Sequence, residues 1–250
     1  MKERWLIMKE SLEAGIKPGN RSLSGLVGEE GFLLIRYLNK AKTLLSGYGS
    51  VLAAARAMGV AVINASQGRI VAAPTAGSCG ILPAVISTVA EAIGADEEAV
   101  IGALFTAAGV GMVIDENAGT AGAKSGCQAE CGTASCMAAV AATELAGGTP
   151  RKAANAGALA LKNFLGLVCD PVAGLVEIPC VKRNAIGAAV ALLAADMALS
   201  GIESKIPLNE VIQAMKEIGD AIPNSLKETS LAGLAATPTA REIEKKLKEA

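Results

Sequence analysis

Apolar residues recur at steps of three and four along most of this chain, and short polar stretches rich in glycine and proline separate the runs. That periodicity predicts a first helix over residues 5–14, stopped by Gly15 and Pro18. It predicts further helices over 32–45, 51–65, 81–92, 97–114, 135–145, 151–167, 184–200, 208–221 and 239–250. Pro83 falls near the first turn of its helix, where its missing N–H costs nothing. The intervening segments 19–25, 68–79, 115–126 and 169–183 read as loops. Alternation of period two is scarce, and only Arg69-Ile-Val-Ala suggests a short strand. The expected fold is mostly α: one helical domain spanning 1–250, without internal repeats, whose glycine-rich loops carry the chemistry.

Composition sharpens this picture. Of 250 residues, 52% are hydrophobic but only 2% are aromatic, and alanine dominates. Small side chains allow close helix packing but bury less apolar area per residue than Leu or Phe. A net charge of -1 argues against a nucleic-acid partner, which usually reads a basic patch. The longest apolar run, Val100 to Ile114, has fifteen residues with three glycines. A bilayer span needs about 20, so no membrane partner is expected. Residues 1–13 hold six charged side chains and no sustained apolar core. No export signal is therefore expected, and the cytoplasm is the expected compartment.

There is no histidine, so the usual neutral-pH base is missing. There are six cysteines, at 79, 127, 131, 136, 169 and 180. In a chain without an export signal these read as thiols or metal ligands rather than disulfides. Cys127, Cys169 and Cys180 lie in loops or at helix starts, where backbone N–H groups can surround an anionic centre. Thiolates suit iron–sulfur clusters, and three cysteines around four irons leave one iron open. Spacing alone does not choose the ligands, because Cys127, Cys131 and Cys136 are nearer in sequence. No Cys-x2-Cys pair is present, which argues against a zinc finger or ferredoxin.

Several motifs carry a resemblance. The stretch from Asn64 to Gly80, NASQGRIVAAPTAGSCG, is similar to the signature region of iron–sulfur-dependent L-serine dehydratases. So are the segments around Cys127 and Cys169 and the run Ile178-Pro-Cys-Val-Lys-Arg-Asn184. The likeness extends from Arg21-Ser-Leu-Ser-Gly-Leu26 to about Gly233, and resembles the alpha, catalytic, subunit of the two-subunit form. It implies that Cys127, Cys169 and Cys180 bind a [4Fe-4S] cluster with one iron not held by cysteine. Cys79, Cys131 and Cys136 then fall outside the ligand set. It also implies dehydration of L-serine to pyruvate and ammonia, with the cluster as Lewis acid at the substrate hydroxyl.

The resemblance assigns roles to further residues. Pro74 to Gly80 becomes the candidate anchor for the substrate carboxylate, through Thr75, Ala76, Gly77 and Ser78. The plain alternative is a tight turn before the helix at Ile81, with Ser78 as its N-cap. Ser22 and Ser24, beside Arg21, form a second polar cluster near the substrate. Lys182 and Arg183 follow a ligand cysteine, and their charge would offset thiolates and substrate carboxylate. Asn117, Lys124, Gln128 and Glu130 flank Cys127. Gln128 is expected to hydrogen-bond near the cluster, and Glu130 to do so or cap the next helix. Asp170 is expected to order its loop through an Asx turn. Single-chain relatives add a domain ahead of the catalytic region that supplies a histidine. A separate beta subunit is therefore expected to complete the site in a heterodimer. An electron-transfer iron–sulfur protein and a non-catalytic helical scaffold subunit are the alternatives.

Overall fold

The computed structural model describes residues 1–249 and contains eleven α-helices among them. These are α1 (Lys2–Gly15), α2 (Glu30–Lys40), α3 (Gly47–Ala65), α4 (Ile81–Ile93), α5 (Glu97–Ala118), α6 (Gly122–Ser125), α7 (Thr133–Leu145), α8 (Pro150–Lys162), α9 (Cys180–Leu199), α10 (Leu208–Ala221) and α11 (Pro238–Glu249). The expected short strand over 69–72 is irregular chain. A single isolated bridge, Cys169 with Lys227, is the β pairing among the described residues.

Helix α7 is the axis of the molecule. Every residue from Thr133 to Thr143 is buried, so it is enclosed on all sides. It packs against α4, α5, α8 and α9. Its sequence there is Thr, Ala, Ser, Cys, Met and Val, mostly small residues that let neighbours approach from every direction. Thr143 and Ser135 return their hydroxyls to carbonyls one turn back, which satisfies them without a partner helix.

Close approach recurs at backbone level. A Cβ built on Gly15 would lie 2.3 Å from the carbonyl carbon of Gly59, so α1 and α3 meet backbone to backbone. A Cβ on Gly80 would sit 2.1 Å from the Ala57 carbonyl oxygen, which draws the start of α4 onto α3.

Helix boundaries differ from the sequence expectation where tertiary contacts decide them. The second helix stops at Lys40 instead of 45, with Ala41 extended. The eighth stops at Lys162 instead of 167, because the Leu165–Leu167 stretch turns back toward Gln128. The fifth runs on to Ala118, and α6 interrupts the loop expected at 115–126. Asp96 caps α5 and Thr149 caps α8 through their side chains. The last expected residue of the terminal helix, Ala250, lies outside the described residues.

By length and composition α3, α5, and α4 with its preceding turn could each cross a membrane. The fold explains the apolarity of two of them, since 50% and 56% of the α3 and α4 windows are buried inside it. For α5 the share is 33%, and Phe105, Met112 and Val113 remain exposed on its outer face.

Adding a methyl at the α3–α4 contact tests the close-packing account. Gly80→Ala must displace backbone, so it should destabilise the chain by about 1–3 kcal/mol or more, read from urea unfolding midpoints. Gly102→Ala, which meets open space in a helix, should be neutral or mildly stabilising.

Candidate functional site

The loops that read as chemically interesting meet at one end of α7. The chain leaves α6 through Gly126, whose φ of 78° suits glycine, and enters a π-helical turn over Gln128–Gly132 that runs directly into α7. Such turns often mark functional sites. The turn places Cys127 and Cys131 with their sulfurs 3.4 Å apart. Segment 169–179 leads into α9, whose first residue is Cys180. The 3-10 turn Ala76–Ser78 approaches from the side. Cis peptide bonds at Ala73–Pro74 and Ile178–Pro179 lie in two of these segments.

Asn184 joins two of the segments. It is completely buried. Its Oδ1 accepts from the Gly80 N–H at 2.9 Å, and its Nδ2 donates to the carbonyls of Gly77 at 2.8 Å and Cys180 at 3.0 Å. The 74–80 loop is thereby held against the start of α9. Sequence reasoning quoted Asn184 within a motif but gave it no role. A lone asparagine in a helix carries no local signal of a contact more than a hundred residues away.

All six cysteines are buried and free. Burial pushes Cys79 and Cys136 up to about 12, as expected of small core residues. Cys136 packs with Ile114, Val140 and Leu161. Cys127, Cys169 and Cys180 come from three segments but lie near enough to influence one another's ionisation. Burial first, then Glu130 and the thiols of Cys127 and Cys180, pushes Cys169 far up. Burial and then Cys127 push Cys180 up to about 12. Cys127 moves the other way: the neighbouring Cys131 thiol holds it below the ordinary thiol value against burial, and the Arg183 guanidinium adds to the effect. No three His, Cys, Asp or Glu side chains among the described residues converge tightly enough to ligate a single metal ion.

The charged residues separate into different tasks. Arg183 is largely buried, pairs with Asp170 at 2.9 Å and donates to the Val168 carbonyl, so its charge stays beside the thiols. Lys182 pairs instead with Glu30 on the surface, which removes it from the thiols. Asp170 also accepts from the Leu234 N–H at 2.8 Å. It ties the Cys169 segment to the C-terminal region rather than forming a local Asx turn. Gln128 donates to the Met215 carbonyl and accepts from the Gly166 N–H, both at 2.9 Å. It therefore braces α10 and the 166 loop rather than the thiols. Asn117 bonds within its own helix.

Glu130 does not cap α7. Its Oε1 accepts the Thr75 hydroxyl at 2.7 Å, and its Oε2 lies 4.0 Å from the Cys169 sulfur. Burial pushes this carboxyl above its ordinary value, with the Thr75 bond opposing. Ser78 is 3.2 Å from the Thr75 hydroxyl and does not cap α4, which begins without a side-chain cap. The first N–H groups of the 3-10 turn, on Ala76 and Gly77, make no hydrogen bond among the described residues. Ser22 and Ser24 lie on a loop packed against the end of α3, and both donate to Glu177. A cleft of about 540 Å³ borders Pro179, Lys182 and Arg183 on one side and residues 163–167 on the other.

Known proteins are similar to this chain over most of its length. A family model described as serine dehydratase alpha chain matches residues 1–235. A probable L-serine dehydratase alpha chain of Bacillus subtilis (strain 168) is 51% identical over 241 residues, 96% of this chain and 80% of that protein. The L-serine dehydratase alpha chain of Peptoniphilus asaccharolyticus is 47% identical over 83% of this chain and 70% of its own length. An L-serine dehydratase of Streptomyces coelicolor is 46% identical over 72% of this chain, but the match spans only 40% of that protein.

Replacing the buried asparagine tests the clamp. Asn184→Ala leaves the Gly80 N–H and the Gly77 carbonyl without partners, at about 1–3 kcal/mol each. The expected result is a chain destabilised by a few kcal/mol on chemical denaturation, whereas Asn163→Ala on the surface should change stability by less than about 0.5 kcal/mol.

Proposed function

Because this chain belongs to the serine dehydratase alpha-chain family, we propose that it is the catalytic subunit of an L-serine dehydratase working in the cytoplasm. The reaction removes water from L-serine and ends in pyruvate and ammonia. The catalytic unit is the whole chain, 1–250. The observation that carries the reading is the meeting of three cysteine-bearing segments beside Arg183 at one end of α7.

A [4Fe-4S] cluster held by Cys127, Cys169 and Cys180 is the proposed cofactor. Three buried, free thiols from separate segments, with the Arg183 guanidinium beside Cys127, support this reading. When bound, the cluster supplies a Lewis-acidic iron for the hydroxyl that leaves.

The chain's own residues bind and orient. Arg183 keeps positive charge at the thiols, and Asp170 keeps Arg183 in place. The Ala76 and Gly77 N–H groups hold the substrate carboxylate, at a turn that Asn184 fixes. Thr75 cannot serve as a second donor there while its hydroxyl proton is given to Glu130. Ser78 lines the turn. Lys182 belongs to the surface rather than to the catalytic set. With no histidine in the chain, the base that takes the α-proton comes from a separate beta subunit.

Anaerobic reconstitution with iron and sulfide, followed by pyruvate release from L-serine, tests the proposal. The chain with its beta subunit should turn over serine and lose activity in air, while the chain alone should be far less active. Ser replacements at Cys127, Cys169 or Cys180 should abolish cluster absorption and turnover, and Cys136→Ala should retain both. A cluster that is reduced reversibly without serine turnover would favour electron transfer. A chain that takes up no iron would favour a scaffold.

A further inference from the structure

Glu177 is 4% exposed, yet it forms no ion pair among the described residues. Of the nearby cations, Lys182 pairs with Glu30 and Arg183 with Asp170, while Arg21, beside Ser22, lies over Gly25 and forms no ion pair with Glu177. Buried carboxylates are normally paired with a cation. The partners that Glu177 does have are Ser22 and Ser24, whose hydroxyls donate to the same oxygen, Oε2, at 2.7 and 2.6 Å. The other oxygen, Oε1, accepts no hydrogen bond from the described residues, and it is not a sealed orphan, since Thr133 Oγ1 alone is that.

The direction of these bonds decides what the cluster can recognise. A serine hydroxyl has one proton and two lone pairs. Each of these serines has given its proton to Glu177. Ser24 Oγ also accepts from the Leu26 N–H at 3.1 Å, and Ser22 Oγ from the Val27 N–H at 3.4 Å. What remains for a ligand is lone pairs on both hydroxyls and a free carboxylate oxygen. Such a set rejects a carboxylate and takes a cationic donor.

Its position pairs it with the opposite kind of site. Glu177 precedes Cys180 by one turn, and its carbonyl accepts the Val181 N–H of α9. Its neighbour Val176 would lie 3.5 Å from a Cβ placed on Gly77. Through Val176 the segment that carries Glu177 packs beside the Ala76–Gly77 turn, so acceptors and donors come from neighbouring segments, an arrangement complementary to a zwitterion. Building on the serine reading above, we infer that Glu177 Oε1 and the Ser22 and Ser24 hydroxyl oxygens receive the substrate's α-ammonium group. Glu177 is then the residue that selects an amino acid over a hydroxy acid of the same shape.

The test uses the anaerobically reconstituted chain with its beta subunit. L-serine is the substrate. L-glycerate, which keeps hydroxyl and carboxylate but has no amine, is the competitive inhibitor. Glu177→Gln should raise KM for L-serine roughly 10- to 100-fold while the L-glycerate inhibition constant stays within about twofold. Ser24→Ala should give the same amine-selective change, roughly threefold to tenfold, and carries the test if the first variant does not fold. Equal weakening of L-serine and L-glycerate would mean that Glu177 only holds the loop, and would overturn the assignment. Recovery of the Glu177→Gln KM on adding K+ would give the acceptors to a metal cation and also overturn it. A wild-type complex without serine turnover brings down the underlying reading itself, and this assignment with it.

Discussion

The site depends on one buried side chain more than on any other contact. Asn184 uses its carbonyl and its amide to hold two turns of backbone from distant parts of the chain. A hydrophobic residue there would leave those backbone groups unpaired inside the protein, where each costs free energy. A charged residue would match only one side of the contact. The amide alone offers both a donor and an acceptor at a neutral, enclosed position. Through it, the start of α9 with Cys180 and the Ala76–Ser78 turn keep a fixed relation.

That clamp works because the surrounding helices can come close. Gly15 against Gly59, and Gly80 against Ala57, bring backbones into direct contact. Helix α7, enclosed from Thr133 to Thr143, does the same with alanine, serine and cysteine side chains. A core built this way gains less per residue from apolar area than one of leucine and phenylalanine. It gains precision instead, since small rigid side chains leave few alternative packings. The cysteine-bearing turns are attached to this scaffold at its least adjustable points.

Electrostatics divide the polar residues into two groups with opposite tasks. Arg183 and Asp170 keep a compensated charge beside the thiols. Glu177, buried, and Glu130, partly buried, are carboxyl groups held by hydroxyls rather than by cations. A protein that keeps such groups enclosed invests in them for recognition or proton handling more often than for stability. Their hydroxyl partners are Ser22, Ser24 and Thr75, three residues that the resemblance put near the substrate. Their hydrogen bonds show which of them still has a proton to offer.

The sequence by itself determined that the chain is helical, that its core is built of small residues, and that its chemistry lies in glycine-rich segments bearing cysteines. Those features are local: periodicity, composition and breaks are read within a few residues. The motif around Asn64–Gly80 identified the family before any coordinates, because a long run of unusual residues is specific without being folded. Only the tertiary structure decided where helices such as α2 and α8 end, since contacts with distant segments overrode their propensity. It also decided that Lys182 and Arg183, adjacent in sequence, point to different tasks, because successive helical residues lie about 100° apart on the helix. Glu177 and Asn184 became legible only there as well. The partners that define them, Ser22 and Ser24 for Glu177 and Gly77 and Gly80 for Asn184, lie more than a hundred residues away, and no spacing along the chain encodes such a distance.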